Sequence, residues 1–175
     1  MKKILISLAV LSVLFSCAEK QKHTEISILP QPQAIRVDEG VFEVDKATKI
    51  YMDPCTDEMK RVAGFINEKF AKAAGFELEI VDRMPEENFI AFMNAGMPTE
   101  SYVINAKPHG VFIEYGDGAG AFYAVQTLFQ LLSSEVYTKN MSLPAVVQGC
   151  EVKDKPKFAY RGFMLDVART FMEKE

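Results

Sequence analysis

The chain has 175 residues, of which 49% are hydrophobic and 25% charged, with a formal net charge of −4. That length and balance fit one ordinary domain plus a leader, with enough apolar material for a core that needs no metal or disulfide, and they exclude a disordered chain. Lys and Arg form no stripe with interleaved aromatics, which excludes a nucleic-acid role, because phosphate neutralisation needs clustered cations.

Met1-Lys2-Lys3 precedes an apolar run over residues 4–15, followed by Ser16 and Cys17. A basic start, a short apolar stretch and a small residue before the cut form a secretion signal. The run is shorter than the roughly 20 apolar residues of a membrane span. Leu14-Phe15-Ser16-Cys17 resembles a bacterial lipobox, with Phe15 bulkier than the residue commonest there. The resemblance implies cleavage before Cys17, a lipid on its sulfur and an acyl group on the new amine. Each buried CH₂ of such chains adds about 0.8 kcal/mol, so several of them hold a domain firmly on a membrane. Residues 1–16 are then the signal peptide and 17–25 a polar tether, on an exported lipoprotein facing the periplasm or the cell exterior. The competing reading is a plain signal peptide with an incidental cysteine. Without Lys2 and Lys3 the balance is 18 basic to 24 acidic residues, or −6.

From residue 26 onward short apolar runs alternate with turn residues. Pro30-Gln31-Pro32 forces an extended start. Residues 34–37 and 41–44 read as two short strands around a hairpin turn at Asp38-Glu39-Gly40, and 49–53 as a strand stopped by Pro54. A helix follows over 57–74, with Met59, Val62, Ala63, Ile66, Phe70 and Ala73 on one face. Thr56 is its cap, Asp57 and Glu58 suit its positive end, Lys69 and Lys72 the other, and Gly75 stops it.

Strands are expected at 77–81, 89–93, 102–106 and 111–115, the last two joined as an antiparallel hairpin by Lys107-Pro108-His109-Gly110. A second helix over 118–133 starts at the cap Asp117. Its broad apolar surface (Phe122, Val125, Leu128, Phe129 and Leu132, widened by Ala121, Ala124 and Leu131) belongs to a helix pressed into a core. After a polar turn at 133–142, residues 144–152 resemble an edge strand and 153–156 a charged linker. Residues 160–167 are apolar on both faces, as in a covered parallel strand. The fold class is α+β, a mixed and mostly antiparallel sheet with two helices packed on one face.

Local chemistry is sparse. Gly116-Asp117-Gly118-Ala119-Gly120 lies between a strand and a helix, where backbone N–H groups can cradle phosphate, but Ala121 and Phe122 replace the further glycine of a dinucleotide site. A tight turn with close helix packing is the better reading. Asp57-Glu58 and Glu86-Glu87 have no desolvating neighbour, and Ser133-Ser134 no nearby histidine. His23 and His109 are the only histidines, so no metal site or cofactor is expected. Export permits a Cys55–Cys150 disulfide, although two unrelated buried thiols fit the spacing better.

Three stretches carry a resemblance: Ser27-Ile28-Leu29-Pro30-Gln31-Pro32-Gln33; residues 117–132 with Ala119-Gly120-Ala121-Phe122-Tyr123 and Gln126-Thr127-Leu128; and Tyr160-Arg161-Gly162-Phe163-Met164-Leu165-Asp166-Val167-Ala168-Arg169. In order and spacing they resemble the β-N-acetylhexosaminidases of glycoside hydrolase family 20. The resemblance implies a non-catalytic α+β domain over 26–155 and the opening of the catalytic barrel over 156–175. It also implies that Arg161 binds hydroxyls of the non-reducing sugar, where a planar guanidinium can donate two parallel bonds. Asp166 matches a position that supports the site. Thr170 stands where the family commonly has histidine. The plain alternative for Arg161 is a surface arginine. In the family the sugar's acetamido oxygen attacks the anomeric carbon, an Asp orients that group and a Glu protonates the leaving oxygen. That pair lies on a later barrel strand, so no catalytic residue is expected within these 175 residues. The implied partners are N-acetylhexosamine-containing glycans and, through Cys17, a membrane. The alternative is a glycan-binding or scaffold lipoprotein without catalysis.

Overall fold

Buried apolar strand residues and the apolar faces of two helices generate one core between a sheet and those helices. The computed structural model describes residues 26–132 and 134–164. Cys17 and Asp166 lie outside them. The strands are β1 (Ala34–Val44), β2 (Lys49–Asp53), β3 (Glu79–Val81), β4 (Phe89–Asn94), β5 (Tyr102–Lys107), β6 (Gly110–Tyr115) and β7 (Ala145–Asp154). The helices are α1 (Asp57–Ala74) and α2 (Gly118–Leu131), and a 3₁₀ turn spans Ser134–Tyr137. The sheet order is β1-β7-β5-β6-β4-β2-β3. β2 runs parallel to β3 and β4, and β4 parallel to β6. The hairpin β5–β6 and the ladders β5–β7 and β1–β7 are antiparallel. This is the expected α+β class with a mixed sheet.

The first helix forms where its sequence places it. Thr56 accepts the Met59 N–H at 3.2 Å. Gly75 adopts φ 75° and its N–H reaches the Phe70 and Ala71 carbonyls, an αL ending that costs glycine nothing. All six stripe residues from Met59 to Ala73 are buried. On α2 the Asp117 carboxylate accepts the Gly120 N–H at 2.9 Å. Ala121, Ala124, Val125, Leu128 and Phe129 are buried there, while Phe122 and Leu131 are half-buried. The strand residues facing these helices, among them Ile50, Ile104, Ile113 and Val152, are 0% exposed.

Several expectations need correction. Residues 34–44 form one strand, not a hairpin: β1 pairs with β7 on both sides of a bulge between Val37 and Val41. The Gln148 side chain donates to the Asp38 and Gly40 carbonyls at 2.9 Å, and Gly40 takes φ 84°, so the bulge is satisfied where a turn was expected. β7 is therefore interior, flanked by β1 and β5, and it extends through Lys153 and Asp154, which were read as linker. β3 begins only at Glu79, because the Asn67 amide takes both backbone groups of Leu78, at 2.9 and 3.0 Å. The polar stretch 134–141 is tied down by its 3₁₀ turn and by the Met141 N–H, which donates to the Ala73 carbonyl at 2.9 Å. Of the expected strand over 160–167, the described residues Tyr160–Met164 have no strand assignment. Both thiols are free; Cys55 is exposed rather than buried, and burial pushes the Cys150 thiol up to about 11.

Candidate sugar-site arginine and the groove beside it

Two bonding networks meet where the first strand's leader, α2 and the segment after β7 converge. In the first, residues before β1 are stitched to the fold by side chains. Gln130 accepts the Leu29 N–H at 2.8 Å and donates to the Leu29 carbonyl at 3.0 Å. The Gln33 N–H donates to Asp154 at 3.2 Å, and the Gln33 amide donates to the Lys155 carbonyl at 3.1 Å. Beneath them the Tyr102 hydroxyl meets Thr127 Oγ1 at 2.6 Å, and burial pushes the phenol up to about 12. The result is a groove of about 690 Å³ whose walls include Gln31, Tyr102, Tyr123, Gln126, Asp154 and Arg161.

The second network holds Arg161. Its guanidinium makes a two-pronged ion pair with Glu100, donates to the Phe158 carbonyl at 2.5 Å and to the Tyr123 hydroxyl at 3.0 Å, and lies 5.9 Å from the Tyr123 ring centre. The Arg161 hydrogen bond holds the Glu100 carboxyl below its usual range, and the same bond raises the arginine. Around it Tyr160, Phe163 and Met164 are 89%, 88% and 89% exposed, so the guanidinium anchors a segment whose apolar side chains are not packed. The sequence alone singles out Arg161 and places Tyr123 within one of the three resembling stretches. It misses Glu100, which has no local signal and lies 61 positions away.

The glycine-rich turn works as tight packing. A Cβ on Gly116 would sit 2.1 Å from the Pro98 carbonyl oxygen, one on Gly120 2.4 Å from that of Ser101, and one on Gly118 2.2 Å from the Glu58 carboxylate. The space a phosphate would need is filled by the protein's own chain and by an anion of its own. Asp57 and Glu58 sit in the first turn of α1. Asp38 lies between Arg36 and Lys107, with bonds of 3.0 and 2.7 Å, and is held down at about 2 chiefly by the Arg36 hydrogen bond. Asp45, Glu68 and Glu100 are also shifted downward by hydrogen-bond donors. A general acid needs the opposite, a carboxyl raised toward neutrality, so none of these four is poised for proton donation. Among the described residues no group of three or more His, Cys, Asp or Glu could hold a metal ion.

Residues 25–155 match the family model described as glycosyl hydrolase family 20, domain 2. In an alignment of 174 positions that covers 93% of this chain, it is 36% identical to the β-hexosaminidase of Porphyromonas gingivalis, and it spans 22% of that protein. Among solved structures, a mutant β-hexosaminidase of Streptomyces plicatus in complex with the product GlcNAc superposes with a TM-score of 0.77 at 30% identity, covering 85% of this chain and 30% of that one. The β-N-acetylhexosaminidase of Bacteroides fragilis shares the fold, with a TM-score of 0.70 at 23% identity over 85% of this chain and 29% of that one.

Proposed function

The chain belongs to glycosyl hydrolase family 20, and from that premise we propose that it is the non-catalytic α+β portion of an enzyme that removes terminal N-acetylhexosamines from glycans by the substrate-assisted retaining route. The observation that carries this reading is the family match over residues 25–155, followed after a short connection by the Tyr160-to-Arg169 run. In that enzyme Arg161 binds sugar hydroxyls and Asp166 supports the site. The chemistry belongs to a (β/α)₈ barrel of about 250 residues, of which these residues supply at most the first strand.

By itself the 175-residue chain is then inactive. Incubated with an aryl N-acetylglucosaminide it should release no chromophore above buffer, and release that scales with purified chain would overturn the proposal. The groove's amide, phenol and guanidinium lining favours one second reading, a glycan-binding or scaffold lipoprotein. Retention of an N-acetylhexosamine glycan without its hydrolysis would support it.

The leader supports export and membrane anchoring through Cys17, with the domain facing the periplasm or the cell exterior. In a bacterial host fed labelled palmitate, the chain should carry label and sediment with membranes, and Cys17→Ser should lose both. Labelling that persists in Cys17→Ser would contradict the assignment.

A further inference from the structure

The sugar-binding role proposed for Arg161 needs free N–H donors, yet in this chain its terminal nitrogens are already committed. Nη2 meets Glu100 and the Tyr123 hydroxyl, while Nη1 meets the Phe158 carbonyl and the second Glu100 oxygen. The arrangement that receives them is built from the fold rather than from two chance surface groups. Glu100 has φ 62°, a left-handed conformation uncommon for a side-chain-bearing residue. It is kept there by its N–H, which donates to the Asp117 carboxylate at 2.9 Å. The same carboxylate oxygen caps α2 through Gly120. Tyr123 stands one turn further along α2, and its hydroxyl donates to Glu100 at 3.1 Å while accepting from Arg161. Gly116 and Gly120 leave no room for a side chain, and this brings the 97–101 backbone against the start of α2. Glu100 and Tyr123 are therefore both indexed to one helix terminus.

We propose that Glu100 and Tyr123 form a guanidinium seat on the α+β domain that positions Arg161, and that Arg161 must leave this seat before it can bind sugar. Glu100 is accordingly a positioning residue acting through Arg161. The link to sugar rests on the functional reading above; the seat does not, and its test involves no hydrolysis.

Limited trypsin digestion reads the seat directly. Trypsin cuts after Lys157 and Arg161, whereas Lys155 precedes Pro156 and resists. Lys157 makes no ion pair with a carboxylate among the described residues and serves as the internal reference. Cleavage follows the population of the released state when opening is fast, so a surface ion pair with added hydrogen bonds should protect Arg161 on the order of 3–10-fold. Glu100→Gln should raise the ratio of Arg161 to Lys157 cleavage by that factor. Arg161→Lys should do the same at position 161, since an ammonium cannot make the two-pronged contact. Tyr123→Phe should give a smaller rise. An unchanged ratio in Glu100→Gln with an unaltered denaturation midpoint overturns the proposal. Should that variant not fold, Tyr123→Phe together with high-salt digestion of the native chain decides, and no change in either also overturns it.

A purely structural role for Glu100 would not move a second readout. The Arg161 side-chain NMR signals should shift as Glu100 protonates, at a pH below the ordinary 4.5 of a glutamate, and this titration should vanish in Glu100→Gln. Absence of the shift in the native chain counts against the seat. Failure of either readout leaves the proposed enzymatic function standing, whereas chromophore release by the isolated chain would sink that function and leave the seat intact.

Discussion

Phe70→Ala should lower the unfolding free energy by about 3–5 kcal/mol, while Phe65→Ala on the same helix should cost about 1 kcal/mol. Phe70 is 0% exposed, belongs to the α1 stripe and packs 5.7 Å from the Phe76 ring centre. Removing it leaves a hole within the core cluster that its neighbours close only in part, so a cavity cost adds to the lost transfer energy. Phe65 is 43% exposed and meets the Phe122 ring edge-on at 5.1 Å. Its loss removes an aromatic pair but opens no enclosed space. The check is urea unfolding of both variants with the slope monitored: a lower midpoint at unchanged slope reports stability alone. Equal losses from the two variants would mean that α1 is not held by one buried stripe.

Gly116→Ala should cost about 3 kcal/mol, at the upper end of overpacking effects, although it adds a single methyl group. The new Cβ would lie 2.1 Å from the Pro98 carbonyl oxygen and 2.7 Å from that of Met97. Both are backbone atoms in a loop fixed to α2, so no side chain can swing aside to make room. The constraint is space rather than conformation. Gly64→Ala supplies the contrast, because its Cβ would meet nothing within 4 Å and it lies within α1. There alanine should stabilise the chain by about 0.5–1 kcal/mol through its better helix propensity. Thermal midpoints moving in opposite directions for the two variants would bear this out, and a neutral Gly116→Ala would refute the packing account. The Gly116 variant should also loosen the 97–101 loop and raise trypsin cleavage after Arg161.

The features read correctly from sequence share a short range. The α1 stripe, its Thr56 and Gly75 ends, the Asp117 cap and the β5–β6 hairpin each depend on residues within a few positions. Helical periodicity, a capping oxygen or a turn dipeptide is a complete local instruction. The glycine-rich turn was read properly for a related reason: without the further glycine it could only be a packing turn. The family resemblance was legible because its three motifs keep their order along the chain.

What failed depended on distant partners. Asp38-Glu39-Gly40 has turn chemistry, yet Gln148, 110 positions from Asp38, satisfies its carbonyls and makes it a bulge in one long strand. β7 resembled an edge because nothing local announces that β1 will pair along its free side. Leu78 was lost to β3 because Asn67, 11 positions back, competes for its backbone.

The amino-acid sequence by itself determined the two helices, most strand positions, the family and the arginine worth watching. Only the tertiary structure decided the strand order, the bulge, the exposure of Cys55 and the seat that Glu100 and Tyr123 offer to Arg161. A helix stripe or cap is settled within one turn of chain, whereas each of these features is settled by whichever remote backbone or side chain folding brings alongside.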